Sequence, residues 1–307
     1  MQITTRQWII GGFIAAVAVF GLYYPVGMLL THKIDDNIAY EAPPVEGGAS
    51  RAVAMAAALV KREVEVNGWV ANDPFFQPGS MLDNMPNFQL GIIHSLGRFG
   101  FELVDQLGRT RGSSQTDSDL QEAAGLLQYS GTKWFFDFST SLLPTVRSEE
   151  QYMKAYRALT NYNTRLSQGR AIFERRSDNL LSLMDRIAID LGSSSAALDR
   201  RINEGSSLWF DDQSDDLFYS VKGQAYAYYL ILRELKQDYA NVMRDRELTG
   251  TWDQMLESFA SAAVLHPLVV INGKPDGLLL PNHLASMGFH ILRARAQIRE
   301  ISNILLK

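Results

Sequence analysis

Residues 8–30 read WIIGGFIAAVAVFGLYYPVGMLL and contain no charged side chain. A helical run of this length can cross a hydrocarbon core of about 30 Å with some tilt. Trp8 lies at one end of the run and Tyr23 and Tyr24 lie near the other, and amphipathic rings of this kind prefer the membrane interface. The sequence therefore predicts a single transmembrane anchor that follows a short N-terminal tail, residues 1–7.

A cleaved signal peptide is the alternative explanation for this apolar run. Its apolar core would be shorter, and a small-x-small cleavage site would follow it. Residues 29–33, LLTHK, do not form such a site, so an uncleaved anchor is favoured. The short tail carries Arg6 and no acidic residue, which favours a cytoplasmic N-terminus, although several cations also follow the run. We therefore expect a single-pass protein whose C-terminal body lies in the periplasm.

The segment after the anchor, residues 31–49, is predicted to be a stalk or linker. Its part 35–49, DDNIAYEAPPVEGGA, combines acids with a Pro-Pro pair that stiffens the chain and a Gly-Gly pair that loosens it. Residues 50–307 are predicted to form an extramembrane α-helical domain, which is long enough to bury one large core or two small ones. This body could be subdivided into 50–146 and 147–307.

Helical periodicity dominates the body. The longest apolar stripe runs from Tyr152 to Leu191 with spacings near multiples of 3.5, which predicts one helix of about 40 residues in coiled-coil-like packing, weakened at Gly169. Periodicity does not distinguish pairing within the chain from pairing between chains, so an oligomer formed through 152–191 stays open. The β signal is confined to 268–280, LVVINGKPDGLLL, where two apolar arms around turn residues predict a hairpin.

These patterns together predict an all-α protein, with an N-terminal transmembrane helix followed by an elongated helical bundle and one small β-hairpin. The 307 residues include no cysteine, which excludes disulfides, cysteine-ligated metals and thiol nucleophiles. A formal net charge of −5 does not favour nucleic-acid binding, which needs clustered cations. The five histidines lack the spacing of a metal motif, and no nucleotide-binding glycine loop occurs, so we expect no metal and no cofactor.

Two short motifs match those of envelope enzymes. Residues 130–133, SGTK, and 177–179, SDN, match the first two motifs of penicillin-binding proteins and serine β-lactamases. The third motif of those enzymes, Lys-Thr-Gly or Lys-Ser-Gly, is missing, so we interpret both as chance matches. The acidic run 211–216 lacks the spacing of a known calcium loop, and acids at a helix start complement the helix dipole.

The candidate site is an aromatic loop, residues 69–87, WVANDPFFQPGSMLDNMPN. Its prolines cannot continue a helix, yet it has too many apolar residues for an exposed loop, so we expect an ordered loop that is pinned to the core. A second aromatic-rich loop is predicted over residues 129–146. The candidate ligand-binding residues of the first loop are Trp69, Asn72, Asp73, Phe75, Phe76, Asp83, Asn84 and Asn87.

Carboxylates and amides beside aromatic rings are typical of clefts that bind sugars or peptides. A carboxylate pair such as Asp73 and Asp83 can also serve glycoside hydrolysis if the two groups converge about 5–10 Å apart in an open cleft. The alternative is that the Asp and Asn side chains cap turns while the aromatic rings fill the core, because irregular buried backbone needs polar partners.

Four long stretches carry a resemblance to a known family. They are residues 69–76 (WVANDPFF), 82–89 (LDNMPNFQ), 109–115 (RTRGSSQ) and 190–195 (DLGSSS). With them the chain resembles the DUF2333 family, a bacterial domain family of unknown function, from the anchor to the C-terminus. The resemblance implies a proteobacterial inner-membrane protein, and it brings no catalytic residues because the family has none established.

The sequence leaves two functions open. We expect a non-catalytic scaffold or adaptor that is tethered to the lipid bilayer and binds an envelope protein or a cell-wall component. The alternative is an envelope hydrolase that acts on glycan or peptide through Asp73 and Asp83. The missing catalytic motif favours the scaffold, although the sequence does not decide whether the protein is an enzyme.

Overall fold

The computed structural model describes residues 5–110, 116–136, 143–204, 211–274 and 280–307, and most of these residues are helical, so the all-α prediction is confirmed. The helices are α1 Thr5–Thr31, α2 Arg51–Lys61, α3 Asn84–Glu102, α4 Ser118–Leu127, α5 Ser148–Ser167, α6 Ser177–Glu204, α7 Asp212–Asp238, α8 Ala240–Asp245, α9 Thr249–Ala263 and α10 His283–Leu305. Short turns of π-helix at Arg62–Val66 and Leu103–Leu107 extend α2 and α3, and a 3-10 turn spans Pro78–Met81. Strands β1 Gly108–Thr110 and β2 Ala171–Phe173 pair antiparallel.

Helix α7 lies at the centre of the bundle. Most of its side chains are buried, as expected for a helix that other helices surround, and it packs against α2, α3 and α9. Helix α3 approaches it so closely that a Cβ atom at Gly91 would lie 2.1 Å from the carbonyl oxygen of Ser220, and one at Gly223 would lie 2.0 Å from that of Phe88. Any side chain at either glycine would push the two helices apart.

The other helices form two groups next to α7. Helix α5 packs against α2 and α4, and helix α10 packs against α6 and α9. Among the described residues, one cluster of buried apolar side chains takes members from both 50–146 and 147–307, including Phe88 and Phe259. The two parts of the sequence thus share a core.

The single long helix predicted over 152–191 is wrong. Helix α5 ends at Ser167, and Gly169 has a φ of 67°, a left-handed conformation that terminates helices. The chain then extends as β2, where the Tyr162 hydroxyl donates to the Ile172 carbonyl at 2.8 Å, before α6 begins. The apolar stripe itself is buried on both helices, so the pattern identified the core face but not the break. Helix α6 also continues to Glu204, beyond Leu191, where the predicted stripe ends.

The described part of the small hairpin predicted over 268–280 contains no regular strand. In the described part of this segment, Asn272 and Asn282 form an isolated antiparallel bridge, and Gly273 donates its backbone N–H to Pro281. The tip, residues 275–279, lies outside the described residues. In the described part of the chain, the short ladder is instead formed by β1 and β2, which are far apart in the sequence and too brief for an alternating pattern to identify.

The predicted anchor is helical, since α1 covers residues 8–30 completely. Judged on the residues that the structure describes, no helix combines the length and the apolar character needed to span a bilayer.

Candidate functional site

The first aromatic loop is fixed to the second one by Trp69. The Trp69 side chain is buried, and its indole N–H donates to the Gly131 carbonyl at 2.8 Å. Its ring meets that of Tyr152 edge to face, with ring centroids 5.0 Å apart. Trp69 therefore joins the two loops, since its indole N–H and its ring both make contacts inside the body.

Asn72 and Asp73 lie where the two loops meet the start of α5. Asn72 is buried, and its amide donates to the Lys133 carbonyl at 2.8 Å and to the Glu149 carboxylate at 2.6 Å. Asp73 is half-buried, and this burial together with the Glu149 charge raises its pKa to about 6. Asp73 thus belongs to a small polar group whose other acid is Glu149.

Asp83 belongs to a different group, at the start of α3. Its carboxylate accepts from the backbone N–H of Asn84 at 2.8 Å and so caps the helix. Asn87 donates to the Asp83 carbonyl and, at 2.6 Å, to the carboxylate of Asp216 from α7. Burial, followed by the charge of Asp83, raises the pKa of the neighbouring Asp215 to about 7. The structure therefore gives Asp83 a capping role beside the acids of α7.

Phe75 and Phe76 present exposed aromatic rings, whereas the ring of Trp69 is buried. Phe75 is 83% exposed and Phe76 is 47% exposed. Their backbone carbonyls accept hydrogen bonds from α1, the Phe75 carbonyl from Tyr24 at 2.8 Å and the Phe76 carbonyl from Tyr23 at 3.0 Å. The first aromatic loop is thus the part of the body that meets the side of α1.

A second contact brings α1 against the same loop. A Cβ atom at Gly27 would lie 2.2 Å from Cγ of Pro78, so only glycine lets the helix pass this close to the 3-10 turn. Two residues beyond the end of the helix, the backbone N–H of Lys33 points to the sulfur of Met85 at 3.1 Å. The contact therefore extends along the C-terminal part of α1.

The described part of the second aromatic loop continues the surface of the first. The rings of Phe76 and Trp134 meet edge to face with centroids 5.7 Å apart, and Phe136 follows at 6.0 Å from Trp134. The rings of Phe135 and Phe136 are exposed, and so is Leu143. Residues 137–142 of this predicted loop lie outside the described residues.

Part of the predicted stalk is bound to the body. We call residues 33–40 the strap. Arg233 donates to the carbonyls of Ile38 and Tyr40 at 2.8 and 2.7 Å, and the Tyr226 hydroxyl donates to the Asn37 carbonyl at 3.0 Å. These bonds hold the strap along α7, although its acids and small residues resemble a free linker in the sequence.

Two buried cations hold the start of the strap. The Lys222 ammonium is completely buried; it lies 2.7 Å from the Asp36 carboxylate and donates to the Leu265 carbonyl at 2.7 Å. Burial lowers the pKa of Lys222, and the bond to Asp36 opposes this. The Arg62 guanidinium donates to the Asp35 carbonyl at 3.1 Å, and its central carbon lies 4.6 Å from the ring centroid of Tyr40 in the strap and 5.1 Å from that of Tyr226 in α7.

The rest of the predicted stalk is packed more loosely. Residues 43–45 line two hollows of about 410 and 640 Å³. The first lies over an alanine-rich face of α2 and the side of α5, and the second is bordered by Arg233 and Glu234. The segment 31–49 therefore consists of a fixed strap and a more open remainder.

Sequence reasoning missed the polar cluster around Asp190. This buried carboxylate accepts from the Tyr228 hydroxyl at 2.6 Å and from the Gln224 amide at 2.7 Å, and it lies 3.3 Å from Nε2 of the half-exposed His94. Burial opposes its charge, but the bonds from His94 and Tyr228 outweigh burial and lower the pKa of Asp190.

The Asp190 cluster joins α3, α6 and α7 through one shared carboxylate. Asp190 is the first residue of the stretch 190–195, yet its partner His94 lies 96 residues away, so no local pattern could reveal the pair. An oriented histidine is typical of general-base chemistry. Here the neighbouring hydroxyl of Ser194 donates to the side-chain carbonyl of Gln224. The arrangement is therefore better suited to joining helices than to activating a serine nucleophile.

Comparison with known proteins gives one match. A family model described as an uncharacterized protein conserved in bacteria, DUF2333, matches residues 40–207 and 207–307. No curated protein and no solved structure matches the chain. The matched residues include the two aromatic loops, α7 and the Asp190 cluster.

Proposed function

The chain belongs to the DUF2333 family of uncharacterized bacterial proteins, and from this premise we propose that it is a membrane-tethered scaffold of the bacterial envelope. Helix α1 inserts into the inner membrane with its N-terminus in the cytoplasm. The helical body stands in the periplasm, where it binds an envelope protein or a cell-wall component without catalysing a reaction.

The observation that carries this proposal is the exposure of large apolar side chains along α1. They include Phe13, Val17, Phe20, Leu22, Leu29 and Leu30. Transfer of each such side chain from water to an apolar environment is favourable by about 1.5–3 kcal/mol of free energy. A bilayer supplies that environment over the whole uncharged run 8–30. The protein body leaves the α1 side chains named above exposed.

The attachment of the body to α1 supports a scaffold. The first aromatic loop contacts the helix at Tyr23 and Tyr24, and the strap that follows the helix is held by buried cations. The strap sets the position of the body relative to the helix, and the loop adds a second contact at the side of the helix. Such mounting suits a protein that presents a surface to a partner.

Membrane insertion is tested by fractionation of cells that produce the full chain. The protein should sediment with the membranes, remain there in alkaline carbonate and be released by detergent. A variant that lacks residues 1–31 should be lost from the membrane fraction. Recovery of the full chain in the soluble fraction would contradict the proposed anchoring.

Orientation is tested with single cysteines, since the native chain has none. The exposed Arg244, replaced as Arg244→Cys, should react with a membrane-impermeant maleimide once the outer membrane is permeabilised. The matched variant Gln2→Cys should react only after the inner membrane is opened. The reverse pattern would place the body in the cytoplasm.

A second candidate function is the envelope hydrolase. Its supporting observation is the pKa of Asp73, raised to about 6, because an acid catalyst must hold its proton near neutral pH. Against it, Asp83 caps α3 beside Asp215 and Asp216, whereas Asp73 lies beside Glu149.

The two candidates are separated by Asp73→Asn in the full chain. For a scaffold, partner capture from membranes should be unchanged, and incubation with cell-wall glycan or peptide should yield no products with either chain. Products formed by the native chain and lost with Asp73→Asn would establish the hydrolase instead.

A further inference from the structure

We propose that the two aromatic loops form a second membrane contact, seated in the headgroup region of the same leaflet from which α1 emerges. The contact surface, called here the aromatic platform, consists of Phe75, Phe76, Met81, Phe135, Phe136 and Leu143, all of them exposed. Its ligand is a phospholipid surface. The inference rests on the proposed anchoring of α1 and adds to it a contact made by the folded body.

The aromatic part of the platform is one continuous surface although it comes from two loops. The rings of Phe75 and Phe76 meet with centroids 5.5 Å apart, and Trp134 joins Phe76 to Phe136. Phe135 meets Phe136 at 4.8 Å. Contiguous exposed apolar side chains mark surfaces that bind a partner or a membrane, whereas single ones are ordinary.

The position of the platform along α1 selects lipid as the occupant. Its carbonyls at Phe75 and Phe76 accept from Tyr24 and Tyr23, within the uncharged run rather than beyond it. Leu30, the last residue of the run, lies seven residues after Tyr23, or about 10 Å further along the axis. If the lipid, headgroups included, covers the run to its end, the platform lies within the membrane interface rather than in the water beyond it.

The residues of α1 that follow its contact with the platform are also apolar and exposed. Leu29 and Leu30, on the body side of the contact, are exposed, so the apolar surface of α1 continues past the platform. Trp and Tyr are enriched at membrane interfaces because their rings are amphipathic, and Tyr23, Tyr24 and Trp134 lie at this contact. Phe and Leu side chains bury at the boundary between headgroups and acyl chains in elements that lie on a membrane. The platform therefore continues the lipid-facing surface of α1 and has the composition of an interfacial belt.

The test uses the full chain in phospholipid vesicles of phosphatidylethanolamine and phosphatidylglycerol. Single cysteines are introduced as Phe75→Cys and Leu143→Cys in the platform, Val17→Cys in α1 and Leu268→Cys as the matched control, and each carries an environment-sensitive fluorophore. Leu268 is apolar and 104% exposed but lies outside the platform. Phe75 suits replacement because only its backbone bonds to α1.

Quenching by lipids that carry a spin label near the headgroup or deep in the acyl chain reports the depth of each fluorophore. The labels at 75 and 143 should be quenched by the shallow lipid at least about twofold more than the label at 268, as expected for an interfacial aromatic belt. The label at 17 should respond most to the deep lipid.

Three results would overturn the platform in different ways. If the label at 17 is quenched while those at 75 and 143 behave like that at 268, anchoring stands and the platform fails. If the label at 17 is also unquenched, the proposed anchoring itself fails. If the labels at 75 and 143 are shielded from aqueous iodide but not quenched by either lipid, protein rather than lipid covers the surface.

Discussion

The body meets the C-terminal part of α1 through two regions that are built in opposite ways. The strap is held by the buried cations Arg62 and Lys222, whereas the first aromatic loop meets the helix through the exposed hydroxyls of Tyr23 and Tyr24. Breaking a buried ionic contact is costly, but water replaces an exposed hydrogen bond at little cost. The strap therefore fixes the position of the body, and the loop can adjust to what surrounds it.

The largest effect is expected from Arg62→Met, on the strap side. The Arg62 side chain is 4% exposed, and its guanidinium lies 2.7 Å from the carboxylate of Glu63, which is completely buried. Burial raises the pKa of Glu63, and the charge of Arg62 opposes this. Loss of the cation leaves a buried acid without its partner, so the free energy of unfolding should fall by about 3–5 kcal/mol.

Urea unfolding of the full chain in mild detergent, followed by tryptophan fluorescence, measures this loss. The double variant Arg62→Met/Glu63→Gln is the control, because it removes the buried charge while the carbonyl of the new amide can still accept from Asn67 or Gln89. It should recover more than half of the lost stability. A single variant as stable as the native chain would show that the strap is not held as described.

A smaller effect, an increase in the free energy of unfolding, is expected from Asp215→Asn in the acidic group of Asp83, Asp215 and Asp216. Burial and then the charge of Asp83 raise the pKa of Asp215 to about 7, from 3.8. A carboxyl whose pKa is higher in the folded state stabilises the fold at low pH, and this contribution is lost as the pH rises from about 4 to about 7. Asp215→Asn removes the charge, so it should stabilise the protein mainly above that window.

Discounted for the partial exposure of Asp215, the gain at pH 8 should be about 1–2 kcal/mol, with little gain at pH 4. Thermal unfolding at the two pH values measures the difference. The exposed Asp245 provides the matched control, since Asp245→Asn should leave the pH dependence unchanged. Equal effects of Asp215→Asn at both pH values would contradict the assigned environment.

Sequence periodicity identified which helix faces are buried, but it did not show where one helix ends and the next begins. Phe88, Ile92, Leu96 and Phe99 are buried on α3 as their spacing predicts. The stripe over 152–191 is buried as well, but its spacing continues through the β2 segment, so the pattern could not show that Gly169 ends a helix.

Partners that are distant in the chain account for the remaining differences between the site predicted from the sequence and the site in the structure. The strap resembles a linker because the side chains that bind it, such as Lys222 and Arg233, lie almost 200 residues away. Asp73 and Asp83 are close in sequence, yet each takes its acidic neighbours from a different helix. The exposed rings of Phe75 and Phe76 were expected to be pinned to the core because a sequence does not show that α1 passes beside them.

The smallest effect on stability is expected from Tyr23→Phe/Tyr24→Phe, on the loop side. Both hydroxyls donate to exposed carbonyls, which water can satisfy after the change, so the free energy of unfolding should change by less than about 1 kcal/mol. The matched variant Tyr226→Phe removes a hydroxyl between Arg62 and the strap, and it should cost about 1–3 kcal/mol. Urea unfolding measures both changes.

Hydrogen–deuterium exchange separates the two regions more sharply. In Tyr23→Phe/Tyr24→Phe, hydrogen–deuterium exchange should rise over residues 73–81, where the loop loses its bonds to α1, and it should stay unchanged over the strap. Tyr226→Phe should raise exchange over 33–40 and leave the loop as it was. If the double variant destabilises the protein as much as Tyr226→Phe does, the loop is as rigidly mounted as the strap and the contrast between them is lost.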